Sequence, residues 1–99
     1  MLATVVAAVV LKGIVTIGPV TPVCRVGVPC DRPAAHVVLT FNSGGRAVRT
    51  TTSASGTYVV KLVPGSYTVR SSAGMRIAPE RLTVRAAGRR DFAIDTGIR

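Results

Sequence analysis

The sequence predicts an all-β fold, an antiparallel β-sandwich of about seven strands. Three observations carry that expectation. Apolar residues recur at every second position in several short runs, the spacing that puts side chains on one face of a strand. Glycine or proline punctuates the chain about every 8 to 12 residues. Valine and threonine abound, and branching at Cβ restricts χ1 in a helix while packing well on a pleated surface. A small closed barrel is the alternative architecture for this pattern.

Residues 56–69, GTYVVKLVPGSYTV, organise the rest. Tyr58, Val60 and Leu62 alternate before a turn, and Tyr67 and Val69 alternate after it. Pro64 fixes its own φ and Gly65 accepts positive φ without a Cβ clash, so Val63-Pro64-Gly65-Ser66 reads as the turn of a core β-hairpin with one buried face.

The chain begins with an apolar run, from Met1 to Leu11, too short to span a bilayer as a helix but suited to the h-region of a signal peptide. It has no charged segment before it and no clean small-x-small cleavage site after it. We take residues 1–12 as a hydrophobic leader, a signal-peptide remnant, and residues 13–99 as the domain. A first β-strand or a short anchor are the other readings of this segment.

A strand is expected from Gly13, with Ile14, Val15 and Ile17 apolar, ending at Gly18-Pro19. Residues 20–33 hold Pro22, Pro29 and Pro33 together with Cys24 and Cys30, which no regular element tolerates, and read as a long connection. The cysteine pair lacks CxxC spacing and a second ligand pair, so a Cys24–Cys30 disulfide fits better than a reduced catalytic or metal-binding pair. Closing so small a loop would contribute about 2 kcal/mol on the chain-entropy view and implies an oxidising compartment.

Residues 36–42, HVVLTFN, form the clearest single strand, with Val37, Leu39 and Phe41 on one face. Ser43-Gly44-Gly45 turns the chain, and residues 46–53 return as a strand with Ala47 or Val48 inward, its polar composition suiting an edge or a solvent-facing sheet surface. Ala54-Ser55-Gly56 leads into the hairpin. Residues 72–79 read as loop, 81–86 as a strand with Leu82 and Val84 inward, and the last strand carries Phe92 and Ile94.

These residues resemble a known family. A turn glycine, an alternating strand, then L-x-PG-x-Y and a second alternating strand is similar to the carboxypeptidase regulatory-like domain, a transthyretin-like (prealbumin-like) sandwich of bacterial surface proteins. Residues 56–69 carry the likeness, and Gly13-Ile14-Val15, Pro29-Cys30, Arg32-Pro33 and the segment from Asp95 to Arg99 agree with it. The family commonly has an aspartate in D-x-x-G before the turn glycine, and this chain lacks that acid. The resemblance implies a secreted, extracytoplasmic, single-domain module. It implies no enzyme, because in carboxypeptidases the zinc site belongs to the partner domain.

Residue chemistry points away from catalysis and from a resident metal or cofactor. His36 is the lone histidine, whereas a zinc site takes three or four converging ligands. Cys24 with His36 as nucleophile and base is undercut by Cys30, which would oxidise the nucleophile. The carboxylates, Asp31, Glu80, Asp91 and Asp95, are scattered. A related family of collagen-adhesin repeats cross-links a first-strand lysine to a last-strand carboxyl or amide, which here would engage Lys12, Asp91 or Asp95 and Glu80. That chemistry needs a buried amine, and Lys12 sits at the expected domain edge.

Charge is the remaining signal. The formal net charge is +9, and of thirteen cations only Lys12 and Lys61 are lysine. Arginine presents a planar fork suited to phosphate and carboxylate. Arg46, Arg49, Lys61, Arg70, Arg81 and Arg85 fall between inward residues, with Arg89 and Arg90 at a turn, and form the candidate polyanion-binding set. A solvated, arginine-rich surface is the plain alternative. All four aromatics are assigned to the core, so stacking-based nucleic-acid readout is not expected. The expected function is a non-enzymatic, monomeric, secreted module with a structural or binding role at the bacterial envelope. Its partner would be a protein or an envelope polymer, the alternative role is polyanion binding through an arginine-rich face, to a wall polymer or an anionic membrane surface, and no transmembrane span is expected.

Overall fold

A computed structural model of the chain describes residues 7–18, 27 and 31–97. Cys24, Cys30 and residues 1–6 lie outside them, so the expected disulfide and most of the expected leader do as well. The described residues are all-β and form two sheets. Among them no helix is long and apolar enough to cross a membrane.

Ten strands are present among the described residues: β1 (Val9–Gly18), β2 (Arg32–Pro33), β3 (Val38–Ser43), β4 (Arg46–Thr51), β5 (Thr57–Leu62), β6 (Gly65–Ser71), β7 (Arg76–Ala78), β8 (Arg81–Val84), β9 (Gly88–Arg89) and β10 (Phe92–Asp95). The expected number was seven. The additions are β2, β7 and β9, pieces of two or three residues in segments read as loop or turn. Such short ladders add backbone bonds without an alternating pattern that the sequence could display.

Two further expectations need correction. The strand expected at Gly13 starts at Val9 and reaches into the segment assigned to the leader, because Leu11 is core and Val9 to Ile14 pair antiparallel with Leu62 to Thr57 of β5. The fold is also not purely antiparallel. Val15 to Gly18 run parallel to Phe92 to Asp95, and Leu11 and Lys12 run parallel to Gly88 and Arg89. The first and last strands are neighbours, and parallel neighbours require the chain between them to cross elsewhere.

The largest correction concerns the organising stretch. Tyr58, Val60, Leu62, Tyr67 and Val69 are buried as the alternation demands. They do not make a hairpin. β5 pairs with β1 in the six-stranded sheet, while β6 pairs with β3 and β8 in the four-stranded sheet, whose order is β4-β3-β6-β8. Val63 and Pro64 therefore carry the chain from one sheet to the other, as an arch. Alternation fixes which face is buried and is silent about whether the next strand lies beside it or across the core. The Tyr67 hydroxyl donates to the Val63 carbonyl, clasping the arch at its bend.

Between the sheets lies one apolar cluster. Leu11, Val15, Val60, Phe92 and Ile94 come from the six-stranded side, and Leu39, Phe41, Val69, Leu82 and Val84 from the other. The rings of Phe41, Tyr58 and Phe92 meet at centroid distances of 5.6 to 6.3 Å in tilted and edge-on arrangements, the geometry that ring quadrupoles favour. Thr52 is the buried polar residue of this region. Its hydroxyl donates to the Ala34 carbonyl and accepts the Val37 amide at 2.8 Å, which satisfies both backbone groups beside the core.

The turn into β5 is held by a serine where the resemblance would place an aspartate. Ser53 stands at that position, and its hydroxyl accepts the Thr57 amide at 3.1 Å while its carbonyl accepts the Gly56 amide at 3.0 Å. Gly56 itself has φ of 80°, and a Cβ there would lie 2.6 Å from the Val15 carbonyl oxygen, so glycine is required.

Candidate functional site

The two sheets present different outer surfaces, and the strand registers define them. On the four-stranded sheet, Thr40 of β3 faces Arg49 of β4 on one side and Arg70 of β6 on the other. In the next row, Asn42 faces Ala47 and Thr68, and Thr68 faces Arg81 of β8. Ser66 faces Thr83 beyond them. Arg49, Arg70 and Arg81 are all exposed. Two strand spacings separate Arg49 from Arg70, roughly 10 Å between Cα atoms, and Arg70 is a diagonal neighbour of Arg81. The ladder positions hold arginine, threonine, serine, asparagine and alanine, with Val38 at one end, and no acid. A row of arginines interspersed with hydroxyls concentrates positive potential on one face.

An open notch of about 220 Å³ borders this face at the seam between the sheets, lined by Arg70, Ser71, Met75, Arg76 and Glu80. It brings Arg76, which the sequence pattern did not single out, alongside Arg70. The signal was hidden because β7 is only three residues long.

Arg46, Lys61, Arg89 and Arg90 do not join this face. Arg46 pairs with Ser43, in step with Val48 rather than with Arg49, and sits exposed at the end of β4. Lys61 and Arg89 belong to the outer face of the six-stranded sheet, where Lys61 faces Val10 and Arg89 faces Lys12. Arg90 follows β9, and Arg85 lies exposed one residue past the end of β8, next to the ladder's edge strand. The candidate set is thus divided between two surfaces.

Asp91 has the most defined electrostatic environment among the described residues. Its carboxylate accepts the Ile14 amide at 2.9 Å and Arg89 Nε at 3.1 Å, and these bonds hold its carboxyl below the usual carboxylate range. The Asp91 side chain is exposed to solvent, so the arrangement orients the chain between β9 and β10 rather than creating a reactive acid. Tyr58 is the opposite case. Burial, with the Asp91 charge adding to it, pushes its phenol up to about 12, and the hydroxyl donates to the Arg90 carbonyl.

Lys12 is exposed on the outer sheet face, Asp91 is taken by Arg89 and Ile14, Asp95 Oδ1 accepts the Gly97 amide at 2.8 Å, and Glu80 is exposed before β8. These positions do not supply the buried amine that a lysine cross-link needs. His36 is exposed, with φ of 55°, just before β3. Among the described residues no group of three histidine, cysteine, aspartate or glutamate side chains is placed to hold a metal ion.

The geometry defines a two-sheet, β-sandwich-like module with a basic outer ladder. No family model matches the chain, and no curated protein matches it. The chain is similar in structure to a DUF3823 family protein from Parabacteroides merdae, with a TM-score of 0.56 and 13% identity. The match covers 89% of this chain and 46% of that one, so the chain spans less than half the length of its structural neighbour. At this identity the likeness speaks for the fold alone.

Proposed function

We propose that the chain is a secreted module of the carboxypeptidase regulatory-like, transthyretin-like kind, with a structural or binding role at the bacterial cell envelope. It works as a monomer through its surfaces, without catalysis. Its kinship is supported by the PG-x-Y segment, in which the Tyr67 hydroxyl reaches back to the carbonyl of Val63 and so gives that spacing a structural purpose. An extracytoplasmic setting is supported by the apolar N-terminal run and by Cys24 and Cys30, the pair suited to a disulfide.

A binding role rests on one observation, the acid-free ladder that places Arg49, Arg70 and Arg81 around Thr40 and Thr68. Arginines set by strand register on one sheet face suit a linear anionic polymer, whose repeating charges engage several guanidinium forks at once. The partner is therefore an anionic envelope polymer, held by salt-sensitive attraction. The test is retention of the full chain on immobilised anionic wall polymer. Retention above physiological salt, about 0.15 M, where screening acts over roughly 8 Å, is the expected result. Elution below it makes the charge incidental. Hydrolase activity that disappears in Cys24→Ala would replace the whole reading with an enzymatic one.

A further inference from the structure

The outer face of the six-stranded sheet carries a second, chemically different surface. Outward residues of β1 and β5 alternate between aliphatic and cationic, and the register sets them out as a checkerboard. Val10 faces Lys61, Lys12 faces Val59, and Ile14 faces Thr57. Arg89 faces Lys12 from the other side. Val10 and Ile14 are each 38% exposed and Val59 is 61% exposed, and Val63 continues the row at 41%. A shallow, largely apolar depression of about 280 Å³ runs between Ile14 and Val59, with Lys12 and Arg89 on its rim. Arg89 is anchored there through its Nε bonds to Asp91.

Aliphatic groups left outward on a sheet face, next to lysine stems that extend beyond them, form a layered surface: apolar close to the sheet and positive farther out. An anionic lipid headgroup above its acyl chain has the complementary layering. A second copy of this chain would set Lys12, Lys61 and Arg89 against the same cations, on molecules that each carry +9. We infer that this face is a docking surface for an anionic lipid bilayer, on which Val10, Ile14 and Val59 enter the interface while Lys12 and Lys61 pair with headgroup phosphates. The inference does not depend on the arginine ladder, which lies on the other sheet.

The experiment is co-sedimentation of the full chain with vesicles of phosphatidylcholine, with and without phosphatidylglycerol. The expected partition is about tenfold higher onto the anionic vesicles, with part of it persisting at high salt because of the aliphatic contacts. Val10→Thr/Val59→Thr keeps the Cβ branching that suits a strand, and a thermal melt verifies its fold. It should lower the partition several-fold, as should Lys12→Gln/Lys61→Gln, while Arg49→Gln/Arg70→Gln/Arg81→Gln should leave the salt-resistant part unchanged. Equal binding to both vesicle types overturns the inference. So does insensitivity to the valine substitutions, or a dimer in sedimentation that Val10→Thr/Val59→Thr abolishes, which would assign the face to a second copy.

Discussion

The Tyr58 hydroxyl donates to the backbone carbonyl of Arg90, tying the middle of β5 to the segment that joins β9 to β10. The two residues are 32 positions apart, and β5 pairs with neither β9 nor β10, since β1 runs between them. The same phenol ring packs against Phe41 and Phe92, so one side chain joins both sheets to the closing strand.

Tyr58→Phe keeps the ring and removes the bond, leaving the Arg90 carbonyl without this donor. Urea denaturation should register a loss of about 1 to 2 kcal/mol. Ultraviolet titration should find a phenol ionising near pH 12 in the parent chain and not in the variant. The native value lies above the unfolded one, so this contribution is complete below about pH 10 and is lost as pH rises toward the native value.

Gly13 permits that bond. A Cβ at this position would stand 2.1 Å from the Arg90 carbonyl oxygen and 2.8 Å from Asp91 Oδ1, contacts that force the segment outward. Gly13→Ala should destabilise by about 1 to 3 kcal/mol. Combined with Tyr58→Phe it should cost less than the sum of the two, because both act on the same contact.

Asp91 predicts an acid response. Its native carboxyl is lowered by the Ile14 amide and Arg89, so its contribution is present above the ordinary carboxylate value, about 3.9, and fades as pH falls through the lower native value. Asp91→Ala should flatten the decline in melting temperature below about pH 4 relative to the parent chain.

Thr52→Val removes the hydroxyl that serves both Ala34 and Val37 inside the fold. Stranding those backbone groups should cost about 1 to 3 kcal/mol in denaturant melts, whereas Thr52→Ser, which keeps the hydroxyl, should cost less.

What was legible in the sequence was the local pattern. Val37, Leu39, Phe41, Leu82, Val84, Phe92 and Ile94 are buried where the period-two spacing put them, and β4 is an edge strand, one of the two settings its arginines and threonines suggested. Pairing was not legible. A strand that crosses to the other sheet and one that folds back beside its neighbour have the same alternation, so the arch of residues 56–69 read as a hairpin. The start of β1 was obscured for a related reason: the stretch from Val9 to Leu11 continues an apolar run suited equally to a leader and a strand, and only pairing with β5 separates them. At the candidate site, exposure of the arginines was legible from alternation. Their grouping was not, because Arg46 and Arg49 differ by three positions and fall on opposite faces of β4, while Arg49 and Arg70 meet only through Thr40.

The most direct test compares two variants of equal charge on an immobilised anionic polymer. One carries Arg49→Gln, Arg70→Gln and Arg81→Gln; the other carries Arg46→Gln, Lys61→Gln and Arg90→Gln. Each loses three positive charges, so non-specific attraction falls equally in both, and the slope of log affinity against log salt reports how many anionic groups are engaged. The account predicts a much lower elution salt and a shallower slope for the first variant, with the second close to the parent chain. Identical elution of the two would contradict it, because the polymer would then be reading net charge and not the ladder.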